Sequence, residues 1–181
     1  MTNSSDDIGT GARVIDGSAR SEGAAEAAAS VTTSAGQTGP DASAPAGVPS
    51  AYAIEVAWQG GREFRGGPEG GPTLIIDGSR TVAPSPVDTV VVALAACSAI
   101  DVLSVLEKRR TPATDLSVRA SFSRAATPPR RLTEVHLEWR VGTTSERQHI
   151  ERAISLSMEK YCSVSASLAP DTRLTWALVD D

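Results

Sequence analysis

The chain has 181 residues, is 40% apolar and carries a formal charge of -5 with a pI near 5.1. That balance supports a packed core and argues against a general nucleic-acid binder, which is usually basic. Its two cysteines are too few for a disulfide-scaffolded secreted domain. No basic start followed by an apolar core opens the chain, and the longest charge-free apolar run, Thr89 to Ile100, stops at Asp101. The expectation is a cytoplasmic protein without a membrane span.

Composition changes near residue 50. Residues 1–50 are rich in Ala, Ser, Gly and Thr, contain no aromatic residue and hold six acids against two bases. So little apolar surface does not offset the entropy of ordering, and the segment reads as a disordered tail. A folded domain is expected over residues 51–181.

Tyr52 to Trp58 alternates and predicts a strand, Gln59-Gly60-Gly61 a turn, Arg62 to Arg65 a short returning strand, and Thr73 to Asp77 another strand closed by Gly78. Ser85-Pro86-Val87-Asp88 has the form of a helix start: Ser85 caps, Pro86 suits the first helical position and Asp88 bonds back to the cap. The run Val87 to Arg110 lacks Gly and Pro and predicts a long helix, whose first half is apolar nearly all round and is expected to be buried nearly all round. Lys108, Arg109 and Arg110 suit its negative end, and Pro112 stops it. Strands follow at Asp115 to Ser123 and Leu132 to Val141. A second helix runs from Ser145, its expected cap, to Tyr161, with Ile150, Ile154, Met158 and Tyr161 as one apolar stripe. Ser163 to Leu168 reads as a further helical turn and Arg173 to Val179 as a closing strand. Strands, long helix, strands, helix and strand make an α+β layout.

Cys97 falls mid-helix in apolar surroundings and Cys162 where the second helix ends, 65 positions later. Taken singly, each has the character of a small buried hydrophobe more than of a reactive thiol. Spacing alone does not pair them, because a disulfide requires Cα atoms within about 7 Å. Neither cysteine forms a metal-type spacing with the other or with His136 and His149, so no metal is expected.

Context adds to this reading. Ala83-Pro-Ser-Pro-Val-Asp-Thr-Val-Val-Val-Ala-Leu-Ala-Ala-Cys97 resembles the first cysteine motif of the OsmC/Ohr family, in which a Pro-initiated helix runs through small and apolar residues to a cysteine. Glu159-Lys-Tyr-Cys-Ser-Val-Ser-Ala-Ser-Leu168 resembles the second motif, and Asp77-Gly78 also fits; the likeness covers about residues 52–180. The resemblance implies an OsmC/Ohr-like fold: an intertwined homodimer whose antiparallel sheets wrap a long central helix, with two sites across the subunit interface. It implies that Cys97 reduces an organic hydroperoxide, that Cys162 resolves it, and that an external dithiol restores both. No cofactor, metal, nucleic-acid or membrane partner is implied.

Three positions depart from the family pattern. Where the better-known branches carry a glutamate that pairs with an arginine, this chain has Val87, with Asp88 one residue later and therefore about 100° round the helix. Asp88 is an auxiliary candidate or simply the capping acid. Arg62 and Arg65 are the candidate cations, against the plainer reading of exposed strand arginines. Ser163 stands where proline often follows the second cysteine. These departures keep two other readings open: a non-catalytic dimer binding an apolar ligand in its interface cleft, and a thiol redox sensor.

Overall fold

The computed structural model describes residues 53–180, so the expected tail at 1–50 lies outside the described residues. They form two compact units, residues 53–83 and 84–180.

The first unit is an antiparallel three-stranded sheet in the order β1-β2-β3: β1 Ile54–Gly60, β2 Glu63–Pro68 and β3 Leu74–Asp77. The β1–β2 turn depends on Gly60 and Gly61, whose φ angles of +116° and +52° disfavour side chains. Gly67 admits no Cβ either, because the carbonyl oxygen of Pro72 would lie 2.3 Å from it. Asp77 ends β3 buried, and its two carboxylate oxygens collect the N–H groups of Ser79, Thr81 and Val82 and the Thr81 hydroxyl at 2.7–3.1 Å. The Thr81 hydroxyl, with those backbone donors, holds the Asp77 carboxyl well below the usual carboxylate range.

The second unit packs helices on a mixed sheet. Helix α1, Pro86–Lys108, begins with the expected capping box: Ser85 Oγ accepts from the Asp88 N–H, and Asp88 returns bonds to the Ser85 N–H and hydroxyl. It ends in a Schellman arrangement, Thr111 N–H to Leu106 O and Arg110 N–H to Glu107 O, with Arg110 in the left-handed region at φ 64°. Strands β4 (Ala113–Arg124) and β5 (Leu132–Thr143) pair antiparallel. The chain then crosses through α2 (Arg147–Leu156), a π-turn (Ser157–Tyr161) and α3 (Ser163–Ala166) before β6, Arg173–Leu178. That long crossover lets β6 run parallel to β5, so the sheet is antiparallel except at this pair.

Val91, Leu94, Val102 and Leu106 of α1 meet Val135, Leu137 and Trp139 of β5, Leu174, Trp176 and Leu178 of β6, and Ile150, Ala153, Ile154 and Met158 of the α2 segment in one apolar core. Three expectations change. The burial of α1 is one-sided, for Val90, Val92 and Ile100 remain 40–63% exposed. By length and composition α1 does qualify as a membrane-crossing helix, contrary to the expectation from charge-free runs alone, because such a span tolerates the two acids Asp88 and Asp101; here one face of it forms the core. Glu146, not Ser145, stands at the start of α2, and the π-turn rotates Tyr161 off the stripe to 50% exposure.

Candidate thiol site

Cys97 sits midway along α1, on the flank of the helix rather than at its buried centre, and is half-buried. Cys162 is buried and caps α3, its Sγ accepting the Ser165 N–H at 3.4 Å. The π-turn explains how it gets there. A helix carrying i→i-5 bonds is wider than an α-helix and commonly marks a functional position. The Cys162 N–H bonds to Ser157 O at 2.9 Å to close that wide turn, after which the chain leaves helical geometry at Cys162 (ψ 104°) and restarts as α3.

The restart lays residues 162–164 against α1. The Val164 N–H and the Cys162 thiol lie near the Cys97 sulfur and favour its thiolate, and Cys97 Sγ lies 4.0 Å from Ser163 Oγ. The two thiols are free, close enough to influence each other's ionisation, and unlike in character. At Cys97, burial opposes ionisation and the Asp101 charge adds to that, but the donors of Val164, Cys162 and Ser163 outweigh both and bring the thiol below its ordinary value. At Cys162, burial and the neighbouring Cys97 outweigh the Ser165 donors and push the thiol up. Cys97 is therefore the thiol of the pair that ionises more readily.

The auxiliary candidates lie elsewhere. Asp88 is engaged in the capping box, nine residues before Cys97, which along a helix is about 13 Å and half a revolution. Arg62 and Arg65 belong to the β1–β3 unit and are exposed; the Arg62 carbonyl accepts the Gly78 N–H and Arg65 Nη1 donates to Thr73 Oγ1 at 3.3 Å. Two residues near the thiols did not stand out in the sequence pattern. Asp101 accepts a hydrogen bond from the fully buried Ser157 hydroxyl at 2.8 Å. Its signal was available: an acid that interrupts an apolar helix needs a partner.

A cleft of about 490 Å³ opens between α1 and β4, lined by Val92, Ala95 and Ala99 on one side and Val118, Ala120 and Phe122 on the other. Cys97 is two residues from both Ala95 and Ala99, hence about 200° round the helix from each. The cleft and the thiols occupy opposite sides of α1. Among the described residues no group of three or more His, Cys, Asp or Glu is placed to hold a metal ion.

Fold and site define a class: an α+β protein whose long helix carries one of two facing thiols. The model of the family described as OsmC-like protein matches residues 77–177, more than half of the chain, and the chain belongs to that family. It is 38% identical over 122 residues to the protein YhfA of Escherichia coli K12, covering 66% of this chain and 91% of that one. A solved chain described as structural genomics is 35% identical, with a TM-score of 0.64 over 71% of this chain and 97% of its own length. A Legionella pneumophila structure described as an organic hydroperoxide resistance protein OsmC shares the fold at 20% identity, with a TM-score of 0.53 over 74% of this chain and 99% of that one.

Proposed function

We propose that this protein is a thiol peroxidase that reduces organic hydroperoxides, with Cys97 attacking and Cys162 resolving. The observation that carries the reading is the contact between two unbonded thiols of opposite ionisation tendency, brought together from 65 positions apart. In the first step the Cys97 thiolate attacks the distal peroxide oxygen. The O–O bond breaks, an alcohol leaves after taking a proton, and Cys97 becomes a sulfenic acid. In the second step the Cys162 sulfur attacks that sulfenic sulfur. The S–O bond breaks, water leaves, and a disulfide joins the two. An external dithiol then exchanges with the disulfide and returns both thiols, itself ending as a disulfide. The family's hydroperoxide-resistance members support this assignment by analogy of fold.

The test is turnover of cumene hydroperoxide with a dithiol donor, with peptide mapping after one equivalent of oxidant. The expected product is the Cys97–Cys162 disulfide. A protein that yields neither this disulfide nor a sulfenic acid at Cys97 is not a peroxidase.

The same reading places the protein in the cytoplasm as a homodimer. Exposed apolar residues favour a dimer. On the first sheet Ile54, Val56 and Trp58 are 62–67% exposed, and on α1 so are Val92 and Ile100 at 59% and 63%. Within each unit, large apolar side chains left this exposed suit coverage by a partner. Light scattering at micromolar concentration should give twice the chain mass, and a stable monomer would remove this part of the proposal.

The apolar cleft between α1 and β4 supports one second reading, the binding of an apolar ligand without turnover. It predicts that a fatty-acid probe binds equally well to the wild type and to Cys97→Ser while hydroperoxide is not consumed.

A further inference from the structure

Ser157 is fully buried in the π-turn. A buried helical serine commonly returns its hydroxyl hydrogen bond to the carbonyl one turn back; Ser98 of α1 does so, donating to Leu94 O at 2.9 Å. Ser157 does not. Its Oγ leaves its own helix and donates to Asp101 Oδ2 of α1 at 2.8 Å, across 56 positions. Each end of this bond belongs to a residue tied to one thiol. Asp101 is four residues after Cys97, the next position along the same helix face. The Ser157 carbonyl accepts the Cys162 N–H at 2.9 Å, the bond that closes the π-turn immediately before the second sulfur. A single residue thus docks on α1 one turn beyond Cys97 with its side chain and holds Cys162 with its backbone.

We propose that Asp101 and Ser157 form a pin that holds the π-turn on α1 and sets Cys162 against Cys97, making Asp101 a positioning residue for disulfide closure. This rests on the thiol-pair reading of the site. Closure must take two unbonded neighbouring sulfurs to a covalent length of about 2.05 Å with a restricted dihedral angle. Segment 162–166 has to move for that, while its approach to α1 has to keep its direction. A charge-assisted bond from a buried hydroxyl, anchored one residue before Met158 packs into the core, is placed to do this. Without it, the π-turn loses its charge-assisted tie to α1 one turn beyond Cys97, and the two sulfurs meet less often.

The readout is the effective concentration of the two thiols, measured on the full-length protein equilibrated in glutathione redox buffers. There, oxidised glutathione accepts the two electrons: its S–S bond breaks, the Cys97–Cys162 bond forms, and two reduced glutathiones leave with the two thiol protons. Asp101→Ala and Ser157→Ala should each lower the effective concentration about tenfold, the scale of losing one hydrogen bond to a charged group. Asp101→Asn, which retains an acceptor oxygen for Ser157, should stay within about threefold of the wild type. Thermal melts confirm that each variant is folded; if Ser157→Ala is not, the alanine and asparagine variants of Asp101 decide. Folded Asp101→Ala at the wild-type value, or Asp101→Asn falling as far as Asp101→Ala, overturns the pin. Failure of the underlying reading looks different. A wild type that closes the disulfide in glutathione yet consumes no hydroperoxide loses the peroxidase assignment, with the pin still decided by its variants. A wild type that never closes it overturns both.

Discussion

The two thiols meet, yet they ride on unlike stretches of backbone. Cys97 is embedded in a 23-residue helix with a full capping box at one end and a Schellman closure at the other. Cys162 stands at the break between a π-turn and a four-residue helix. The regular helix gives Cys97 a fixed position, where the donors of residues 162–164 converge on it. The broken one leaves Cys162 where the helical hydrogen-bond ladder is interrupted, followed by a single turn that adds few bonds of its own. On the proposed assignment, the attacking thiol benefits from fixed donors and the resolving thiol has to travel. The physical lesson is that backbone geometry gives the two sulfurs unlike surroundings, one on a regular helix and one at a helix break.

Substitutions can break this comparison. The largest effect is expected from Cys97→Ser, which keeps the size of the side chain but leaves a hydroxyl hardly ionised at neutral pH; hydroperoxide consumption should vanish in a stopped-flow assay. Equal single-turnover rates in this variant and the wild type would reverse the roles given to the two thiols. Cys162→Ser should allow one turnover and then stall, leaving a sulfenic acid at Cys97 that dimedone traps. A burst of more than one equivalent in that variant would show that another thiol resolves.

Alkylation sharpens the comparison further. The Cys97 thiol lies below the ordinary thiol value and Cys162 above it. Since only thiolates react, iodoacetamide at neutral pH should modify Cys97 well before Cys162, and the gap should narrow as pH rises through the ordinary range and then past it. Equal labelling of both at neutral pH would contradict the assigned donors.

The smallest effects concern the ends of α1 and should leave thiol chemistry untouched. Ser85→Ala removes the cap and should cost about 1 kcal/mol in denaturant unfolding. Arg110→Gly relieves a non-glycine residue at φ 64° and should stabilise the fold by about 0.5–1 kcal/mol. If either change altered the Cys97 alkylation rate severalfold, the helix would be transmitting strain to the site, and its description as a fixed platform would fail.

Much of the frame was legible in residue order because its causes are local. Ser85, Pro86 and Asp88 announced the start of α1, and the structure forms that capping box, since all its partners lie within four residues. The strand expected over Leu132 to Val141 is present within β5, where it buries Val135, Leu137 and Trp139. The two motifs about Cys97 and Cys162 were enough to suggest the family, which the match over residues 77–177 shows.

Tertiary structure decided what depends on distance through space. Periodicity assumed 3.6 residues per turn to the end of the second helix, so Tyr161 was expected on the buried stripe; the π-turn adds a residue to the turn and sends it outward. Apolar composition predicted all-round burial for the first half of α1, whereas burial also needs neighbouring layers all round, and within the described residues Val90 and Val92 lack one. Asp88 as an acid near the first motif was visible, but its engagement at the cap, half a revolution from Cys97, follows from helix geometry. Residue order contained Cys97, Asp101, Ser157 and Cys162 without relating them. Their contact arises because the α2 crossover returns the chain to α1, and no local pattern encodes where a chain returns.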